Sequence, residues 1–174
     1  MALKLTCGIS RRVGQLWVIP HRDSNQIPHA NFVLVGGGPT GVELAGALAE
    51  MKKAILPKDY PDLDVRKMEI NLIQGSNRIL DSMSSNASEK AEKFLLDLGV
   101  SIWKNVRVTG YDGKTVTTSS DLSFDSATVI WTAGVQGALP HGLKADSFIK
   151  NVNRIKVNQF NQVEGYDNLF AIGD

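Results

Sequence analysis

Apolar and polar positions along this chain switch between two periods, and each switch marks a candidate element. Phe32, Val33, Leu34 and Val35 form the unbroken apolar run that a strand buried on both faces requires. Over residues 40–53, Val42, Leu44, Ala45, Leu48, Ala49 and Met51 recur at helical spacing. Lys52 and Lys53 stand near the end of that run, where a helix dipole favours cations. Residues 56–64, polar and punctuated by Pro57 and Pro61, read as an insertion before a second strand at 68–74 with Ile70, Leu72 and Ile73 in the core. Ser84 or Ser85 then caps a helix running to about residue 98, with Ala91, Phe94, Leu95 and Leu98 on one face and Gly99 as its stop. A third strand follows at 100–103. Residues 106–111 and 115–118, joined by Asp112 and Gly113, predict a hairpin. Phe124, Ala127, Val129, Ile130 and Trp131 predict one further buried strand, with Trp131 a core residue. Beyond Gly134 the chain is loop-like to residue 151. Residues 154–163 alternate as a hairpin, and 168–174 read as a short apolar strand ending in Gly173 and Asp174.

Strands alternating with helices predict an α/β fold, a Rossmann-like doubly wound parallel sheet with an antiparallel hairpin as an excursion. The junction of the first strand and first helix carries the most specific chemistry. Gly36, Gly38 and Gly41 are spaced G-x-G-x-x-G, placed between an apolar run and a helical pattern. Gly36 permits a tight turn out of the strand. Gly38 lets backbone lie against a pyrophosphate, and Gly41 lets the helix pack closely on the sheet. Pro39 suits a first helical turn, where an N–H would lack a partner. Amides of residues 36–41, including those of Gly37 and Thr40, and the positive end of the helix dipole then face an anionic diphosphate.

Composition narrows the partners. Lys plus Arg number 19 against 18 Asp plus Glu, with no basic stripe interleaved with aromatics, so nucleic acid is not an expected partner. Cys7 is the single cysteine, which excludes an internal disulfide, a Cys-x-x-Cys pair and a cysteine zinc site. His21, His29 and His141 are scattered in polar surroundings, and no metal site is expected. No apolar run is long enough to span a bilayer. Residues 1–22 carry Lys4, Arg11, Arg12 and Arg22 without an acidic residue, which leaves organelle targeting open; residues 1–30 are expected to be a poorly ordered lead-in.

Three further positions bear on the cofactor. The second strand of such a sheet commonly ends in an acidic residue that holds the ribose hydroxyls of NAD and repels the 2′-phosphate of NADP. Gln74 stands there instead, able to hydrogen-bond a hydroxyl but carrying no charge against a phosphate, and Arg78 offers a nearby cation. Relaxed selectivity follows, with NADPH accepted beside NADH. Ala133 and Gly134 end a strand at the carboxyl edge, where ligands of open α/β sheets bind.

The segments Val35 to Ala45, Val129 to Val135 and Leu169 to Asp174, in that order, resemble the two-dinucleotide-binding flavoproteins. Within them the chain is most similar to type II NADH dehydrogenases, the single-subunit NADH:quinone oxidoreductases; the likeness covers residues 31–174. It implies that residues 31–150 are an NAD(P)-binding domain and 151–174 a partial return into an FAD-binding domain. Gly173 and Asp174 would approach FAD in the complete protein, and Glu43 would lie near the nicotinamide and flavin rings. A carboxylate in the first turn of a helix is also favoured by the dipole alone. NADH or NADPH would pass hydride to FAD and on to a quinone, the protein mainly orienting the reactants. The resemblance further implies a cytoplasmic protein, peripheral to the inner membrane through segments not in this sequence, and a chain that binds its nucleotide without turning over alone. Two alternatives stay open: a stand-alone NAD(P)H-binding module, and part of another FAD-dependent pyridine nucleotide oxidoreductase. No nucleophile–base pair supports hydrolysis.

Overall fold

In a computed structural model, residues 31–134, 137, 140–149 and 154–173 are described. The lead-in at residues 1–30, His21, His29 and Asp174 lie outside them. The described residues divide into two compact units, one ending at Ala133 and one beginning at Gly134.

The first unit is built on four parallel strands. Phe32–Val35 (β1) pairs on one side with Ile70–Gln74 (β2) and on the other with Thr128–Trp131 (β7), while β2 also pairs with Ser101–Lys104 (β3). The order β3-β2-β1-β7 places the apolar run of β1 in the interior of the sheet, with Val33 and Leu34 fully buried. Two helices cover one face, Pro39–Glu50 (α1) and Ser85–Asp97 (α3). Leu34, Leu72 and Ile130 from the strands meet Ala45, Ala49 and Leu95 from these helices in a single core. The Ser84 hydroxyl caps α3 by accepting from the Ala87 amide at 3.3 Å, and Gly99 ends it at φ +85°. Phe94, expected on the packed face, is 54% exposed. It sits on the flank of α3 beside a surface groove along α1, so Leu95 alone of that pair reaches the sheet.

The helix after β1 runs on past residue 53. A π-helical turn, Met51–Ile55, links α1 to Leu56–Asp59 (α2), so the first half of the presumed polar insertion is helical. Pro57 has no N–H and would crowd the preceding turn of a regular helix. A widened turn directly before it accommodates the ring. Lys52 therefore stands mid-helix, where its ammonium donates to the Met68 carbonyl at 2.6 Å and draws the approach to β2 against α1.

The other face of the sheet is covered by an antiparallel meander rather than a simple hairpin. Val108–Tyr111 (β4), Thr115–Thr118 (β5) and Ser123–Asp125 (β6) pair in sequence order. Val33, Val35, Ile73 and Val129 of the parallel sheet pack with Val106 and Val116 in a second core, edged by Trp103 and Phe124 at 5.2 Å between ring centroids. The single strand expected through residues 124–131 is split in two at Ser126. This buried hydroxyl lies 2.6 Å from the Asn31 carbonyl, to which it donates, and accepts from the Thr128 amide, turning the chain from one sheet into the other. Trp131 is 42% exposed, because β7 is the last strand of the sheet among the described residues. Its indole donates to the Ala133 carbonyl instead of entering the core.

In the second unit, Phe148–Ile149 (β8) pairs with Arg154–Ile155 (β9). The expected hairpin over 154–163 is reduced to a bridge between Val157 and Val163, its tip turned by Asn158, whose side-chain oxygen accepts from the Phe160 and Gln162 amides. The strand expected at 168–174 is a single bridge from Phe170 to Gln162.

Candidate functional site

The glycine turn sits at the carboxyl end of β1, and each glycine meets a different constraint. Gly36 has φ +113°, and a Cβ there would fall 2.8 Å from the Ala133 nitrogen, so both conformation and the closeness of the β7 end demand glycine. At Gly41 a Cβ would fall 1.8 Å from the Gly36 carbonyl oxygen and 2.9 Å from the Thr132 hydroxyl. That position serves helix-to-turn packing. At Gly37 a Cβ would meet Ile79 at 2.9 Å. Gly38 differs from all of these: it has ordinary extended geometry, φ −73° and ψ −178°, and a Cβ on it would meet nothing within 4 Å. Internal packing leaves that position free, and a group lying against the backbone could use the space.

Pro39 occupies the first turn of α1, and no side chain caps this helix. Its leading amides thus lack the hydroxyl or carboxylate that commonly satisfies them, as α3 has in Ser84. Thr40 is exposed at the same end. Uncapped amides, the helix dipole and open space at Gly38 together fit a diphosphate.

The turn is braced from both sides. The Gln74 side-chain oxygen accepts from the Gly37 amide at 2.8 Å, while its amide nitrogen donates to Ser76 Oγ at 2.6 Å. The Leu80 amide donates to the Gly37 carbonyl at 2.7 Å, and Leu80 takes a left-handed φ of +48° to do so. From the β7 side, Thr132 Oγ1 lies 3.1 Å from the Val35 carbonyl and 3.0 Å from that of Gly36, sharing its one proton between them.

The glycines singled out in the sequence gather here with Pro39, Gln74 and Ala133. Arg78 is close in sequence, but its guanidinium donates to the carbonyls of Asp81 and Met83 at 2.6 and 3.1 Å, fastening the loop after β2. Glu43 is exposed on α1 and lines the groove that α1 forms with α3, together with Gly46, Ala47 and Phe94. Gly134 is exposed with φ +75°, and Gly173 has φ +129°. Sequence reasoning missed Thr132, Ile79, Leu80 and Ser88, whose buried hydroxyl donates to the Ile79 carbonyl at 2.7 Å. A hydroxyl at the residue after β7 was the one available signal. Among the described residues no cluster of His, Cys, Asp or Glu could hold a metal. The carboxyls held below their ordinary range lie elsewhere, Asp64 by the Arg66 guanidinium and Asp112 by the Thr115 and Lys114 amides.

Residues 15–174 match the family described as pyridine nucleotide-disulphide oxidoreductase. The chain belongs to that family. A type II NADH:quinone oxidoreductase of Mycobacterium tuberculosis is 31% identical over 150 residues, covering 82% of this chain and 32% of that protein. An external alternative NAD(P)H-ubiquinone oxidoreductase of Arabidopsis thaliana, named as mitochondrial, is 31% identical over 154 residues, covering 83% of this chain and 26% of its own length. The chain thus spans between about a quarter and two fifths of the length of such curated relatives. Among solved structures, NDH2 of Plasmodium falciparum in complex with NADH superposes with a TM-score of 0.59 at 23% identity, over 63% of this chain and 23% of that one. A pyridine nucleotide-disulfide family oxidoreductase of Enterococcus faecalis superposes with a TM-score of 0.60 at 18% identity, over 83% and 31%. These likenesses are of fold, and they agree with a parallel sheet whose glycine turn opens the first helix. No described helix is long and apolar enough to cross a membrane.

Proposed function

We propose that this chain is the nicotinamide-dinucleotide-binding portion of a flavin-dependent NADH dehydrogenase of the type II class. The observation that carries it is the turn at residues 36–41, where an uncapped helix start adjoins a glycine with open space above it. The amides of Gly38, Thr40 and Gly41 hold the diphosphate, and Pro39 presets the first helical turn. Gly36 and Ala133 lie backbone to backbone, keeping the β7 edge low enough for the nicotinamide end to approach. Gln74 fixes the turn and leaves the ribose end without a carboxylate, so NADPH is accepted beside NADH. Glu43 orients the nicotinamide relative to the flavin in the complete enzyme, and Gly173 and Asp174 belong to the return toward FAD. When bound, NADH supplies the hydride that FAD receives and a quinone finally takes as electrons. The chain's own share is orientation, since no nucleophile or acid–base pair stands at the turn. The complete enzyme is peripheral to the inner membrane.

Titration of the 174-residue chain with NADH, read as a rise in nicotinamide fluorescence, tests the reading. Saturable binding without flavin absorbance in the purified protein is expected. A folded sample that shows no saturable binding refutes it.

A further inference from the structure

The ribose end of a dinucleotide on this fold lies beyond the carboxyl end of β2, and the residue that opens that space is Gly75. The side chain lying across it comes from the opposite direction in sequence. A Cβ on Gly75 would sit 3.3 Å from Arg107 Cγ and 3.6 Å from Arg107 Nε. Arg107 is held there by its backbone. The Val106 amide donates to the Gln74 carbonyl at 3.1 Å and the Asn105 amide to the Ser76 carbonyl at 2.9 Å, tying the segment after β3 to the segment after β2. Arg107 itself donates its amide to Ser119 Oγ at 3.2 Å and accepts from the Ser119 amide at 2.8 Å. Its guanidinium has no hydrogen bond or ion pair among the described residues.

Resting on the reading of the turn as a dinucleotide site, we propose that Arg107 is the residue that recognises the adenosine 2′-phosphate of NADPH, in place of Arg78. Arg78 donates from Nη2 to two backbone carbonyls, which pins its guanidinium along the loop after β2. Asp81, whose carboxylate lies 3.1 Å from Ser76 Oγ, offsets the Arg78 charge along the same loop. Arg107 is thus the cation beside Gly75 whose guanidinium has no protein partner among the described residues. Gln74 is not a competitor for the ribose, because its oxygen is taken by Gly37 and its nitrogen by Ser76. A planar guanidinium laid over a residue without a side chain can present two parallel N–H groups to a phosphate, and a 2′-hydroxyl in the same place uses them far less.

The test is a titration of the full chain and its R107Q and R78Q variants with NADH and with NADPH. R107Q should weaken NADPH at least tenfold and change NADH by less than threefold, while R78Q should shift both nucleotides alike. Loss of NADPH in R78Q with R107Q unaffected overturns the assignment, as does an equal effect of R107Q on both nucleotides. Binding of NADH but not NADPH by the unaltered chain overturns the assignment and the relaxed selectivity, and leaves the turn standing as a dinucleotide site. Binding of neither overturns both.

Discussion

The Gly37 amide donates to the side-chain oxygen of Gln74 at 2.8 Å, so the residue ending β2 faces back into the glycine turn instead of out toward a ribose. A neutral amide there supports the turn without charging it. Substituting Gln74→Glu keeps an acceptor for Gly37 and adds a negative charge at the edge where a 2′-phosphate would sit. NADH affinity should stay within threefold, and NADPH affinity should fall by tenfold or more. In the unaltered chain the two dissociation constants should differ by less than a hundredfold, about 2.7 kcal/mol. A larger preference for NADH would show that selectivity does not depend on the charge of this side chain.

Gly38 and Gly41 separate ligand from scaffold. Alanine at Gly38 has an allowed conformation and open space, so it should leave the melting temperature unchanged or slightly raised, in line with the ~0.4–1 kcal/mol that such exchanges gain from the unfolded state. NADH binding should nonetheless weaken at least tenfold, because the methyl group occupies the cradle. Alanine at Gly41 drives a Cβ to 1.8 Å from the Gly36 oxygen and should destabilise the chain by at least about 2 kcal/mol in urea denaturation. Retained affinity in G38A would remove the reason for placing the diphosphate at this turn.

Much of this arrangement could be read from spacing because local rules and tertiary packing agree there. The first strand, the glycine turn, the Ser84 cap and the Gly99 stop all follow from conformational limits that act within a few residues. The failures share another cause. Trp131 and Phe94 point where they do because of what lies beside them in space. An apolar run through residues 124–131 gives no sign that Ser126 will turn the chain between sheets, since its partner Asn31 is 95 residues away. Pro57 promised a break, and the backbone widened by one turn to keep the helix. The braces on the turn, Thr132 and Leu80, are hard to read for the same reason: a single polar or apolar residue acquires this role only when two strand ends meet.

The hairpin turn carries a pH dependence of defined sign. Asp112 accepts from the Lys114 and Thr115 amides at 2.8 and 2.7 Å, and these bonds hold its carboxyl below the ordinary value of 3.8. A group whose pKa is lowered by folding contributes stability above its unfolded pKa and loses it as pH falls through the folded one. The gap in melting temperature between the unaltered chain and D112N should therefore be widest near neutrality and shrink below about pH 4. A gap that is constant from pH 7 to low pH would mean that the carboxylate charge is not what orders the turn.

Thr132 offers the sharpest link between stability and binding. Its hydroxyl is the side-chain donor that reaches the carbonyls of both Val35 and Gly36, at 3.1 and 3.0 Å, and the Gly36 oxygen is also the atom on which Gly41 packs. Thr132→Val keeps the shape and removes the donor; the Val35 carbonyl still accepts from the residue 132 amide, while the Gly36 carbonyl loses its side-chain donor at a part-buried site, at a cost of about 1–2 kcal/mol. Freed of that restraint, the Gly36 peptide can rotate, and the amides that follow it lose their common direction. NADH affinity should then fall roughly threefold to tenfold, while Thr132→Ser, which restores the hydroxyl without the methyl group, should recover most of the affinity even where it recovers less of the stability. Chemical denaturation and NADH titration of the same two variants check this. If valine and serine bind NADH equally well, the hydroxyl supports the fold alone, and the turn holds its shape through packing between Gly36 and Ala133.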